Sequence, residues 1–385
     1  MIRDRFRAAW QRLQPFELDW IQVEVSARCQ GRCRYCPVHR LSGKREPELM
    51  TPDTFRRLLP ALSAAKLVYL QGWGEPLLHP DFWEMVRQVG RTGAGVGFTT
   101  NGALLGPANR RALLESPVEI LAVSLAGAAA ETHDRFRPGS PLAAVDRNLE
   151  ALKREAVEAG SSPPNLHLAY LLMADNLDEL PEAVALARHW GATQMVVSQL
   201  SLILDREMED QSLLVRRDLW PRAREVVAEA RKRARGAVGK GSEEEGSKEQ
   251  DPGGLVFPRS TVEPSPETGM VLHVHGFHTR EANPACTENV LRSCFISARG
   301  QVSPCVMTNL GLRAGTRATH RFQGRDLPIR SLEFGNLREA SLEEIWRGKE
   351  ARAFRRTFRH RIWQGTRGRE GLPESCRECH KLFET

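Results

Sequence analysis

The chain has 385 residues, 41% hydrophobic and 27% charged, and its 55 basic and 48 acidic side chains leave a formal charge of +7. That length holds one large domain and a smaller one, and no run approaches the ~18 consecutive apolar residues of a membrane helix. The arginines are interleaved with acids and show no aromatic-spaced basic stripe, so the charge reads as a solvated surface and disfavours a nucleic-acid partner.

Residues 1–19 read as an N-terminal extension. Met1 to Arg7 is basic but no apolar run follows, so it is not a signal peptide. Eight cysteines without an export signal then point to metal or redox use in the cytoplasm, not to disulfides. Residues 21–26 alternate in strand fashion, with Ile21, Val23 and Val25 on one face. Directly after them come Cys29, Cys33 and Cys36, spaced Cys-x3-Cys-x2-Cys with Tyr35 before the last. Three thiolates at this spacing can each take one iron of a cubane and leave the fourth iron open. A three-cysteine zinc site and buried core thiols are the competing readings of the triplet alone.

Further strands are expected at 67–71, 95–100, 120–125, 166–173 and 194–199, several of them continuously apolar as strands buried on both faces should be. Helical stretches separate them; in 178–190, Leu180, Val184 and Ala187 share a face and Gly191 is the stop. Six such units over residues 20–232 make the fold class α/β, a partial (β/α)6 barrel with its reactive loops at the C-terminal ends of the strands. A glycine- and charge-rich stretch breaks the pattern, and 233–266 reads as a flexible charged linker. Residues 267–385 then form a small α+β region holding Cys286, Cys294, Cys305, Cys376 and Cys379. Within it, 294–305 reads as a hairpin turning at Arg299-Gly300, and Ser341 with Glu344 reads as a capping box.

The cysteine triplet, followed after the second strand by Gly72-Trp73-Gly74-Glu75-Pro76, resembles the radical S-adenosylmethionine (SAM) superfamily. The resemblance implies a [4Fe–4S] cluster on Cys29, Cys33 and Cys36, with SAM held by Gly72, Gly74, Glu75, Asn101, Ser124 and Arg137. A structural turn is the plain alternative for the glycine segment and for Asn101-Gly102, and a surface role for Arg137. The C-terminal region resembles the SPASM extension in its short, one-cluster Twitch form. From Cys286, 13 residues lead to Gly300 and four more to Cys305, as that pattern asks; from Cys294 only five residues precede Gly300. The resemblance therefore implies an auxiliary [4Fe–4S] cluster on Cys286, Cys305, Cys376 and Cys379, with a structural zinc site as the rival and Cys294 as a buried thiol. Looser likenesses, Gly74 to Pro80, Val197 to Leu200, Val302 to Cys305 and Phe334 to Leu337, resemble the group that modifies the cofactor of tungsten-containing aldehyde ferredoxin oxidoreductases; the charged linker and Gln199 depart from it.

The function implied is reductive cleavage of SAM to a 5′-deoxyadenosyl radical that oxidises or modifies a peptide, a protein or a cofactor precursor. The auxiliary cluster would relay an electron, and the implied donor is a small carrier such as ferredoxin or flavodoxin. No catalytic base can be assigned. The rival classes are a non-catalytic iron–sulfur or zinc scaffold and a tRNA-modifying radical SAM enzyme.

Overall fold

A computed structural model describes residues 16–235, 269–276 and 283–382. Strand β1, Leu18–Val23, leads into the cysteine loop, which ends in a single helical turn, α1, Pro37–Arg40. Helix α2, Pro52–Leu62, is capped by the Thr51 hydroxyl, which accepts the Thr54 N–H at 3.2 Å. The alternation continues through β2 (Ala65–Leu70), α3 (Phe82–Gly90), β3 (Gly95–Thr100), α4 (Pro107–Leu114), β4 (Val118–Leu125), α5 (Ala130–Phe136) and α6 (Leu142–Glu158). It closes with β5 (Asn165–Leu172), α7 (Leu180–His189), β6 (Gln194–Gln199), α8 (Arg206–Gln211) and α9 (Trp220–Arg235). Next come β7 (Val271–Val274), a hairpin of β8 (Ser293–Ile296) and β9 (Gln301–Ser303), and a second hairpin of β10 (Thr319–Phe322) and β11 (Arg325–Pro328). The short β12 (Gly335–Asn336) precedes α10 (Leu342–Arg347), α11 (Lys349–Gln364) and α12 (Glu374–Arg377).

Ten strands form one sheet in the order β12-β9-β8-β1-β2-β3-β4-β5-β6-β7, parallel from β8 to β7 and open at both ends. Helices cover one face. Val68, Leu70, Val96, Phe98, Leu121, Val123, Leu168 and Tyr170 pack there against Phe55, Leu58, Phe82, Val145, Val184 and their neighbours in a continuous core. A smaller cluster of Leu67, Tyr69, Ile120 and Ala122 with Trp20 lines the concave face. Gly97 makes room for it, since a Cβ there would stand 2.6 Å from the Tyr69 ring.

The α/β class and the open barrel agree with the sequence, and the six expected strands are present. Two features extend that picture. β7 pairs in parallel with β6 as a seventh barrel strand, and β8 pairs in parallel with β1. The sheet thus runs unbroken from the barrel into the region expected to be separate from residue 267 onward. The first strand runs earlier than expected, from Leu18 to Val23: Leu18 already donates its N–H to the Ala64 carbonyl at 2.8 Å, and the pairing with β2 ends at Gln22. From there Glu24 donates its N–H to the Ile296 carbonyl at 2.8 Å, and Met50 donates its N–H to Val25 at 2.8 Å. α9 continues to Arg235, past the expected start of the linker, because Ala234 is buried in the core. Most of the expected linker lies outside the described residues. The capping box of α10 is complete: Ser341 Oγ accepts the Glu344 N–H and Glu344 Oε2 accepts the Ser341 N–H at 2.9 Å. No helix among the described residues is long and apolar enough to cross a membrane.

Candidate cluster and cofactor site

The loops after β1, β2 and β3 meet at the C-terminal edge of the sheet, where open α/β folds place their ligands. Cys29 and Cys33 face each other across Gly31: a Cβ on that glycine would lie 3.4 Å and 3.8 Å from their two Sγ atoms. The Gly31 N–H also donates to Cys29 Sγ at 3.3 Å. Cys36 heads α1, its N–H donating to the Cys33 carbonyl at 3.1 Å, and its Sγ lies 4.0 Å from the Trp73 carbonyl oxygen. The loop is pinned to the end of α5 and the residues that follow it, where Arg34 N–H donates to Phe136 O at 3.0 Å and Arg32 N–H to Pro138 O at 2.7 Å. Burial pushes the Cys29 thiol up to about 11 and the Cys36 thiol up to about 12, and neighbouring thiols add to both shifts. Held apart from a metal, these groups stay protonated at neutral pH; a metal would have to displace the proton. Among the described residues no three Cys, His, Asp or Glu side chains close around a single metal ion.

Glu75 stands behind this loop, buried. Its Oε2 accepts the Asn101 N–H at 2.8 Å, and its Oε1 accepts the Thr100 hydroxyl at 2.8 Å and the Leu77 N–H at 3.2 Å. Burial raises its pKa, and these three donors oppose the rise. Asn101 continues the chain toward the thiols: its Oδ1 accepts from Gln30 Nε2 at 3.1 Å, and its Nδ2 lies 3.9 Å from Cys29 Sγ. Gly72 and Gly74 are glycines because of the protein itself. A Cβ on Gly72 would stand 2.3 Å from Glu24 Cγ, and one on Gly74 would stand 2.2 Å from Ser26 O. Arg137, at the end of α5, is buried and donates from Nη1 to the Tyr35 hydroxyl at 2.6 Å, while its Nε has no hydrogen-bond partner. Ser124 lies on β4 in register with Ala169, half-buried on the concave face. On that face Thr99 Oγ1 bridges the Tyr69 hydroxyl at 3.1 Å and Gln71 Oε1 at 2.9 Å.

The second group of cysteines gathers beyond β8. Cys305 and Cys379 are close enough to Cys286 and Cys376 to disfavour the ionisation of both, and Cys379 acts on Cys305 in the same way. Burial is the main reason that Cys305 is pushed up to about 12 and that Cys286 and Cys376 are also raised. Cys294 stands apart. It is 2% exposed in the middle of β8, opposite Ile21 of β1, pushed up to about 12 by burial, and its charged neighbour is Arg355, not another thiol.

Sequence reasoning missed three residues that hold these groups in place. Trp73 is the only side chain between the two glycines. Its indole N–H is shared between the carbonyls of Val306 at 3.3 Å and Asn309 at 3.1 Å, in the turn right after Cys305, so it ties one cysteine group to the other. Glu24 is buried beside Arg45, 3.6 Å away, and accepts the Trp73 backbone N–H at 2.9 Å. A carboxylate interrupting the strand-like run at 21–26 was its only signal. Arg361 on α11 is buried and donates to the carbonyls of Gly368 at 2.7 Å, Thr366 at 3.3 Å and Asn283 at 3.3 Å, and also to that of Glu370. It clamps the segments leading to Cys376 and Cys286, and nothing in the sequence marks it among so many arginines.

Comparison with known proteins agrees with this geometry. Residues 23–187 match the model of the radical SAM superfamily, and residues 286–380 match SPASM, an iron–sulfur cluster-binding domain. The chain is 24% identical over 346 residues to the tungsten-containing aldehyde ferredoxin oxidoreductase cofactor-modifying protein of Pyrococcus furiosus, covering 88% of this chain and 83% of the relative. It is 31% identical over 180 residues to the mycofactocin maturase MftC of Mycobacterium ulcerans, covering 46% of each. The solved structure of Streptococcus suis SuiB bound to S-adenosylmethionine superposes with a TM-score of 0.58 at 13% identity, over 91% of this chain and 71% of that one, which shows a shared fold. With its three-cysteine loop at the mouth of an open parallel barrel and its four-cysteine group beside it, the chain carries a radical SAM domain over residues 23–187 and a SPASM iron–sulfur cluster-binding domain over residues 286–380.

Proposed function

We propose that the chain holds a [4Fe–4S] cluster on Cys29, Cys33 and Cys36, cleaves SAM reductively there, and uses the resulting 5′-deoxyadenosyl radical to oxidise or modify a peptide, a protein or a cofactor precursor. The observation that carries this is the gathering of three buried or half-buried thiols from one loop at the barrel mouth, beside a buried cation with a free N–H. When bound, such a cluster supplies one electron to the sulfonium of SAM, and the chemistry is the cofactor's own. The chain's part is to bind and orient. Arg137 offers its unpartnered Nε to an anionic group, which suits the SAM carboxylate, and Tyr35 fixes the guanidinium from the other side. Glu75 spends three acceptor positions on Thr100, Asn101 and Leu77, leaving about one of its four lone-pair sites for the SAM ammonium. Gly72 and Gly74 press that loop against the strand-one loop, and Asn101 and Ser124 line the edge beside it. The relatives' names, a cofactor-modifying protein and a maturase, favour a peptide or cofactor-precursor substrate.

The arrangement of Cys286, Cys305, Cys376 and Cys379, with Cys294 apart, supports an auxiliary [4Fe–4S] cluster on those four thiols. Such a site leaves no iron open and so acts as an electron relay. The test is anaerobic reconstitution. The parent chain should hold about eight irons, and the Cys29→Ala/Cys33→Ala/Cys36→Ala variant about four, with SAM cleavage abolished. Cleavage that survives the triple substitution would refute the assignment.

A further inference from the structure

Helix α11 buries Ala351, Phe354, Arg355, Phe358 and Arg361 against the auxiliary region. Its other side carries Arg352, Arg356, Arg359 and Trp363, at i, i+4, i+7 and i+11 on one exposed stripe. Linear reading shows no such stripe because each of these residues is separated by two or three others; only the helical period aligns them. Trp363 is 83% exposed and its neighbour Ile362 44%, and the His360 ring lies 6.3 Å from the indole. On α9 the cations have acidic partners: Arg222 with Glu225 at 3.1 Å, Lys232 with Glu229 at 3.7 Å and Arg233 with Glu182 at 2.8 Å. Among the described residues no carboxylate pairs with Arg352, Arg356 or Arg359. The crowding reaches inward, where Arg355, stacked 3.8 Å over the Trp346 ring, is pushed down to about 10 by burial first and then by Arg359 and Arg352.

Arginine and tryptophan are enriched among the residues that dominate binding energy at protein interfaces, and here exposed Trp363 and Ile362 adjoin the row of arginines. Three cations with no counter-charge among the described residues suit an acidic partner. The stripe also sits on the helix whose Arg361 clamps the segments bearing Cys286 and Cys376. A single convex stripe with one aromatic is short of the stacked, groove-like track that a nucleic-acid strand needs.

We propose that this face of α11 docks a small acidic one-electron carrier, a flavin or iron–sulfur protein, that reduces the four-thiolate cluster. The carrier is oxidised by one electron and the cluster reduced by one, with no bond made or broken. The proposal rests on the preceding reading of those thiols as a redox-active site.

Reduced and oxidised flavodoxin, an acidic flavin protein, serve as the probe. Binding of oxidised flavodoxin to the reconstituted full chain is measured by calorimetry at low and high salt, and 5′-deoxyadenosine formation is driven either by reduced flavodoxin or by dithionite. Both Arg352→Glu/Arg356→Glu/Arg359→Glu and the single substitution Trp363→Ala, at a largely exposed position, should weaken flavodoxin binding by roughly tenfold or more and raise its KM alike. The triple variant should also lose the salt dependence. Iron content and dithionite-driven cleavage should stay at parent level in both. Unchanged flavodoxin affinity in the variants, or none in the parent at low salt, overturns the proposal. A triple variant that loses tRNA retention while flavodoxin binding stays intact also overturns it. Absence of dithionite-driven cleavage in the parent counts against the catalytic reading instead, and the binding measurement is independent of it.

Discussion

Trp73 makes the residue scale concrete. Its neighbours are glycines because the chain packs against itself, so the indole is the one group of that motif free to reach across to the turn after Cys305. Trp73→Phe keeps the ring and removes the donor, at about 1 kcal/mol of stability. Hydrogen exchange in residues 305–309 should rise while iron bound by the first three cysteines is unchanged; equal protection in variant and parent would mean the indole is not holding that turn. The sequence pointed to Glu75 and to the cysteines because their spacing is itself chemical information. Arg361, Glu24 and the unpartnered Nε of Arg137 were not legible, because each depends on what a distant segment places opposite it.

At the scale of elements, the buried strands were readable from their apolar runs and α10 from its capping box. β7 was not. Val271–Val274 has no clean apolar face, its burial alternating only between exposed and intermediate, and it follows a charged stretch. The hairpin of β8 and β9 was legible from Gly300, whose φ of 80° suits glycine at the turn. Its position was not, since Arg292 and Asp19, bonded at 2.9 Å, lie 273 residues apart. Cys294 belongs to this element's core. Cys294→Ser should retain the auxiliary iron, at a cost of about 1–3 kcal/mol for a buried hydroxyl without a partner. Cys286→Ser should lose that iron or hold it loosely. Iron analysis and thermal melting of the two variants decide it, and a reversed result would move the ligand role to Cys294.

For the whole molecule, acid stability has a specific contributor in His133. It is fully buried, its Nε2 lies 3.0 Å from the Ser140 carbonyl, and burial, with Arg137 second, pushes its pKa down to about 3. The unfolded chain takes up that proton near pH 6.5, so the neutral histidine's contribution is intact above about pH 6.5 and is lost progressively from there down to about 3. At pH 5 the loss is about 2 kcal/mol. His133→Gln can keep the hydrogen bond to the Ser140 carbonyl without titrating, so between pH 7.5 and 5 its melting temperature should fall less than the parent's. Parallel curves would place the acid sensitivity elsewhere.

The β1–β8 pairing also sets a timetable for biosynthesis. A nascent chain exposes its first strand early, but the strand that satisfies one of its edges emerges roughly 270 residues later. At ~5–20 residues per second the ribosome needs on the order of 15–55 s to supply it. During that interval β1 presents a row of unpaired N–H and C=O groups, the template on which another chain can add a strand. A polypeptide terminated anywhere before β8 keeps that edge permanently, so prematurely stopped translation products of this protein should accumulate as aggregates, not as free-standing barrels.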